Sequence, residues 1–240
     1  MITYDQAYKK VVSKTLGFGT ESAALFQGIG RILVDDVRAD RDFPPFDRAT
    51  KDGIAIKFSA IEKGIASFKI EGVISAGMPR QKLSDTNNCM EIMTGAVVPE
   101  NVDTVIMYEH LNIKDGYATL NTSVVKGQDI HYKGSDVISG SVLLKKNSLI
   151  GAAEIGVLAA VGKSSFLVKK LPKVCVISTG NELVDVSEHP LPHQIRKSNV
   201  LSLYAALLKE NIKANLIHLR DDRDSIKKEL SHILEAYDVV

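Results

Sequence analysis

Residues 173–178 read KVCVIS, a lysine, four consecutive apolar residues and a serine. A continuous apolar run of this length suits a strand covered on both faces. A glycine-containing loop follows, then SNVLSLYAALLKEN (198–211), which has helical spacing and for which Ser198 or Asn199 would serve as N-cap. Next come a strand (NLIHL, 215–219), a loop (RDDR, 220–223), a helix (DSIKKELSHILEA, 224–236) and a strand start, Tyr237-Asp238-Val239-Val240. This β-α-β-α-β order predicts a parallel sheet with right-handed crossovers. Residues 171–240 are therefore expected to be the first half of a doubly wound α/β domain. The chain stops as a buried strand opens, so it is expected to be the front part of a longer protein.

Upstream, residues 3–16 show helical spacing, with Tyr4, Ala7, Val11 and Val12 on one face. A second helix is expected to start after Thr20 or Glu21 and run through LFQGIGRIL. Pro44 and Pro45 exclude a helix there and favour an extended segment. From about 52 to 135, short apolar alternations such as GIAIKF, SFKIEGVI, CMEIMT and DTVIMYEHL are punctuated by Gly, Pro, Asn and Asp. That pattern predicts a small β-rich domain such as a barrel. A strand and turn (GSVLLKKNSLI), a helix between Gly151 and Gly162, and a strand (SFLVKK) complete the chain up to Pro172.

The chain has 240 residues, 45% hydrophobic and 25% charged, which allows an ordinary core and either one large domain or two to three small ones. A formal net charge of +1 gives no sign of nucleic acid or membrane surface as partner. No stretch approaches the ~20 apolar residues that span a bilayer. The start, MITYDQAYKKVV, lacks the apolar run of a signal peptide, so a cytoplasmic location is expected. Cys89 and Cys175 fall in unrelated segments, and Cys175 reads as a small core residue, not half of a disulfide.

Ligands of open α/β sheets bind at the carboxyl ends of the strands. Ser178, Thr179, Gly180, Asn181 and Glu182 follow one strand, and Arg220, Asp221 and Asp222 follow the next. Thr-Gly offers exposed backbone N–H groups to an anion. Glu182, Asp221 and Asp222 could hold Mg²⁺ through water against a phosphate-bearing substrate. The alternative is that polar residues simply populate strand-end loops, with at least one aspartate capping a helix. In the β-rich part the candidates are Asp47, Asp52, Thr94 and Asp136; each alone also fits a turn. Of six histidines only His189 and His193 stand near metal-ligand spacing, and further partners are missing. Neither a Walker A motif nor GxGxxG occurs.

Taken together, PPFDRATKDGIAI, AGMPRQ, EIMTGAVVPENVDTVIMYEH, KGSD, LIGAAEIGVLAAVG and VCVISTGNELV occur in an order that resembles the molybdopterin molybdenumtransferases, the MoeA family, whose eukaryotic relative is gephyrin. The resemblance implies a multidomain fold of mixed α/β and β type. An N-terminal helix (1–20) would pack with the α/β domain. An extended linking domain would comprise 21–50 and 137–170, an inserted barrel-like domain 51–136, and an incomplete α/β domain, like that of the molybdopterin adenylyltransferases, 171–240. It implies insertion of molybdate into adenylated molybdopterin, Mg²⁺-dependent release of AMP, and a homodimer, with a molybdopterin adenylyltransferase as a further partner. The implied catalytic residues are Asp52, Thr94, Asp136, Glu182 and Asp221, meeting in a cleft between domain surfaces of two subunits. Ser178, Thr179, Gly180, Ser198 and Asn199 would bind the cofactor substrate, and Glu182, Asp221 and Asp222 the metal. The chain departs from the family at Lys197, where Asp is common, at Ser135, which replaces an acidic residue, and at Asn181, another Asp position. The family's glycine-rich phosphate loop lies beyond Val240, so this piece is expected to be inactive in the full reaction. A non-catalytic scaffold on the same fold is the alternative reading. An adenylyltransferase fits poorly, because that stand-alone domain lacks the inserted barrel.

Overall fold

The computed structural model describes residues 2–14 and 16–240. In it the apolar run becomes the strand Val174–Thr179, the central strand of a small parallel sheet. It pairs in unbroken register with Ala214–Leu219, from Val174 opposite Ala214 to Thr179 opposite Leu219. On its other side Val174 forms a parallel bridge with Val239, where the backbone N–H of Cys175 donates to the Val239 carbonyl at 2.9 Å. The helices Asn199–Lys209 and Arg223–Ala236 make the two crossovers. Val174 and Cys175 are buried, as an apolar strand covered on both faces requires. Both cysteines are buried free thiols, and burial pushes Cys89 up to about 12.

The chain divides into two compact units, one of Met1–Val37 with Leu144–Val240, the other of Arg38–Leu143. The first holds the parallel sheet and an antiparallel ribbon, Thr20–Ala24 against Ser165–Lys169. That ribbon corrects the second expected helix. Thr20–Ala24 is a strand, followed by a single 3-10 turn at Leu25–Gly28. The reason is tertiary. Five residues pair with a strand more than 140 positions away, and Gly30, at φ +73°, takes a conformation an α-helix excludes. The helix Ala152–Ala160 sits between Gly151 and Gly162 as its sequence indicates, with Leu158 fully buried. The first helix is Tyr4–Val12. Its N-cap Thr3 accepts from the Gln6 backbone N–H while the Gln6 side chain accepts from that of Thr3. The end of the expected span at Thr15 lies outside the described residues.

The second unit is built on a curled six-stranded sheet, in the order Thr104–Met107, Gly53–Ile56, Cys89–Ile92, Ser67–Ile74, Tyr117–Leu120, Leu111–Lys114. The curl passes through Ser67–Ile74, whose pairing with Cys89–Ile92 shifts register between Ile70 and Val73. Gly53–Ile56 is buried along its whole length. Ala55 joins one apolar cluster with Ile74, Ile92 and Val105, and Ile54 and Ile56 join another with Phe68 and Ile106. The period-2 alternation of a strand thus feeds two cores from one element.

Two local features hold this unit. A Cβ on Gly53 would lie 1.8 Å from the Ile106 carbonyl oxygen, so two strands meet here only because the residue has no side chain. Glu71 clamps the 84–88 turn, accepting from the Ser84 and Asp85 backbone N–H groups, the Ser84 hydroxyl and the Asn88 amide. Partial burial pushes its pKa up, but these donors outweigh burial and bring it from 4.5 to about 2. Gly53→Ala is expected to lower unfolding free energy by about 1–3 kcal/mol or more, read as a fall in urea midpoint at unchanged slope. Because the folded-state pKa of Glu71 is depressed, its contribution is full above about 4.5 and is lost as pH falls toward about 2. Glu71→Gln should flatten the pH dependence of the thermal midpoint across that window, while wild type declines through it.

Candidate functional site

Strand Gly53–Ile56 and the turn after Cys89–Ile92 bring Asp52 and Thr94 together, 42 residues apart in sequence. Asp52 Oδ1 accepts from the Thr94 backbone N–H at 2.6 Å and from its hydroxyl at 2.7 Å. These two donors, backbone first, hold the Asp52 carboxyl below the usual carboxylate range. Both residues are exposed, and Oδ2 of Asp52 has no protein partner among the described residues. The pair is thus an ionised carboxylate fixed by one oxygen and open at the other.

Asp136 is placed differently. The backbone pairing of Arg48–Ala49 with Ile130–His131 sets Arg48 opposite His131. Arg48 Nη2 lies 3.2 Å from His131 Nδ1, and a guanidinium can only donate, so Nδ1 accepts and Nε2 carries the hydrogen. Nε2 then donates to Asp136 Oδ1 at 2.8 Å. Around this relay the Lys133 backbone N–H donates to Asp47, and that of Asp136 to the Phe43 carbonyl. Arg48 and His131 have no signal in the linear sequence, because their pairing spans 83 residues.

In the α/β unit the level strand ends bring both expected loops together. The Gly180 backbone N–H donates to the Leu219 carbonyl at 3.2 Å, and that of Asp221 to Asn181 Oδ1 at 3.2 Å. Gly180, at φ +129°, carries the turn, and a Cβ there would lie 2.4 Å from Glu182 Oε2. A residue with a side chain would be strained and would push that carboxylate aside. Thr179, Glu182 and Asp221 are exposed, and the Glu182 and Asp221 carboxylates have no protein partner among the described residues. Asp222 caps the helix Arg223–Ala236 through the Ser225 backbone N–H at 2.8 Å, which takes one of its oxygens from any metal.

Ser178 is buried and bonded to its register partner, with Oγ 3.0 Å from His218 Nδ1. Ser198 occupies the N-cap position of Asn199–Lys209, but its side chain makes no cap bond, because its backbone is already helical at φ −98°, ψ −41°. Ser178, Ser198 and Asn199 share the wall of one small cavity. Among the described residues no three of His, Cys, Asp and Glu come together as a cation cage, and His189 and His193 stay in an exposed or half-exposed loop. Mg²⁺ needs no such cage when one or two carboxylates and substrate phosphates supply its oxygens, and Glu182 with Asp221 fits that mode.

These features define a class: a mixed α/β protein with unpartnered carboxylates in exposed strand-end loops and a fixed Asp52–Thr94 pair in its β-rich unit. The family model of the MoeA N-terminal region (domain I and II) matches residues 2–162, and the chain belongs to the MoeA family. It is 35% identical to a molybdopterin molybdenumtransferase of Synechocystis over 94% of this chain and 59% of that protein. A molybdopterin molybdenumtransferase of Staphylococcus aureus is 32% identical over 100% of this chain and 58% of its own length. The crystal structure of a molybdopterin biosynthesis MoeA protein from Pyrococcus horikosii superposes with a TM-score of 0.84 at 31% identity, covering all of this chain and 63% of that one. The chain therefore spans about three fifths of the length of these relatives.

Thr94→Val removes the hydroxyl donor and leaves the backbone N–H. The Asp52 carboxyl should then titrate higher, closer to the ordinary carboxylate range, in a carbon-detected NMR titration; an unchanged titration would show that the hydroxyl contributes nothing.

Proposed function

We propose that this chain carries part of a molybdenum-insertion site, in which molybdate is transferred to adenylated molybdopterin with release of AMP. The observation that carries the reading is the Asp52–Thr94 pair in a chain of this family, an exposed carboxylate held ionised by one oxygen with the other free. In this reading Asp52, Thr94, Asp136, Glu182 and Asp221 are the catalytic set. Ser178, Thr179, Gly180, Ser198 and Asn199 hold the pterin nucleotide. Glu182 and Asp221 would hold Mg²⁺, with Asp222 limited by its capping bond, and the ion would supply positive charge against the substrate's phosphates. The protein side of the chemistry is electrostatic positioning. Carboxylates orient cation and phosphate, and the Thr94 hydroxyl, already donating to Asp52, orients that carboxylate toward the substrate. A homodimer, a cytoplasmic location and a molybdopterin adenylyltransferase as supplying partner belong to the same proposal. Among the described residues no helix is long and apolar enough to cross a membrane.

Calorimetric titration with adenylated molybdopterin and Mg²⁺ tests it. Saturable binding is expected, weakened about tenfold or more by Asp52→Ala or Glu182→Ala, the scale of a lost hydrogen bond to a charged group. Binding that ignores both substitutions would favour the scaffold alternative, in which these carboxylates are ordinary surface groups.

A further inference from the structure

Lys197 is the least solvated charge at the carboxyl edge of the α/β unit. Its side chain is only 16% exposed, against 65% for its partner Asp185. The backbone holds it firmly. Leu183–Val184 pairs in parallel with Ile195–Arg196, and the Lys197 N–H donates to the Val184 carbonyl at 3.0 Å. The intervening loop is tied by Arg196 Nε donating to the Glu188 carbonyl and by reciprocal bonds between Leu191 and Gln194. An ammonium on so enclosed a side chain needs acceptors where it meets the cavity. Among the described residues Lys197 Nζ has one, Asp185 Oδ1 at 3.3 Å, which leaves two of its three hydrogens unused.

His218 lines the same cavities as Lys197. Its Nδ1 lies 3.0 Å from the Ser178 hydroxyl, and its Nε2, which carries a hydrogen in the tautomer where that hydroxyl donates, has no protein partner among the described residues. Asp185, Lys197 and His218 line two cavities in common. One, of about 170 Å³, also has Ser178, Val200 and Leu201 in its wall; the other, of about 480 Å³, adds Asn181, Glu188 and Arg220. The charges facing this space are Lys197 and Arg220 against Asp185 and Glu188. The other three are exposed, and the Lys197 side chain, paired with Asp185, is the most enclosed of the four.

We propose that Lys197, with His218 beside it, forms a metal-independent subsite for a tetrahedral oxyanion, a terminal phosphate or a free oxyanion of that shape. Its charge is met by the ammonium as a point charge, and not by a carboxylate-held divalent cation. Asp185, the more solvated partner, turns outward when the anion enters. The subsite deepens the molybdenum reading and rests on it only for the larger substrate to which the phosphate belongs.

The test uses the whole chain in chelator-treated, metal-free buffer, titrated with inorganic phosphate, AMP and molybdate while the Lys197 side-chain resonances are followed by NMR. At least one probe is expected to saturate and shift Lys197. Lys197→Gln should weaken that binding about tenfold or more, and Lys197→Arg should retain it, with circular dichroism unchanged in both. A preference for AMP identifies a nucleotide phosphate as occupant, and equal or better binding of the inorganic ions a free oxyanion. Binding seen only after Mg²⁺ is added, no binding of any probe, or full binding by Lys197→Gln overturns the subsite. A parallel titration with adenylated molybdopterin and Mg²⁺ separates the two readings. Binding there without oxyanion binding in metal-free buffer removes the subsite and leaves the molybdenum reading intact; the reverse pattern does the opposite.

Discussion

The parallel ladder between Val174–Thr179 and Ala214–Leu219 sets the level at which every candidate group of the α/β unit emerges. Register partners lie on one face of a sheet, so pairing Ser178 with His218 brings a hydroxyl and an imidazole into contact. One residue further on, both strands end together, and their loops are joined by the bonds from Gly180 to Leu219 and from Asp221 to Asn181. A slip of one residue would turn Ser178 and His218 to opposite faces and separate those loops. The apolar content of the strands opposes such a slip, because it would also expose Cys175 and Leu219, which are buried in the native register.

The second unit reaches the geometry of its candidate site by close approach. Gly53 lets its strand lie against the Ile106 carbonyl, and Asp52, one residue earlier, is thereby set beside the Thr94 turn. Two donors on one oxygen fix the carboxylate as an anion at the surface without removing it from water. This avoids the desolvation cost of a buried charge and leaves the second oxygen for a ligand. Asp136 is supported from outside by His131 and Arg48, a relay that depends on a two-residue strand pairing.

The two ways of meeting phosphate charge are physically different. Exposed Glu182 and Asp221 can act only through a cation that arrives with the substrate, because two carboxylates facing a phosphate otherwise repel it. A lysine whose side chain is only 16% exposed, as at 197, would be in place beforehand and would lose less freedom on binding. In the proposed subsite Lys197 would move part of the charge balance from a diffusible ion to the chain.

Much of this was legible in the linear sequence. The apolar run at 173–178, the alternation of strands and helices after it, and the short strands between 52 and 135 follow from periodicity, because burial on one or both faces imposes a spacing that residue order records. The motif order identified the family, whose model matches residues 2–162. Residue order did not record long-range pairing. Thr20–Ala24 became a strand because Ser165–Lys169 offered it a ladder, and no local propensity announces a partner that far along the chain. Nor did it show His131 beneath Asp136, Asp222 spent on a helix cap, or Lys197 drawn into a cavity with His218. Those depend on strand register and loop closure: His131 is placed by its pairing with Arg48, 83 positions away, His218 by its pairing with Ser178, 40 positions away, and Asp222 by the turn that starts its helix. The sequence by itself determined which elements form and which chemical groups they carry; only the tertiary structure decided which of those groups meet, because hydrogen-bond register and close packing act between segments that the chain order leaves apart.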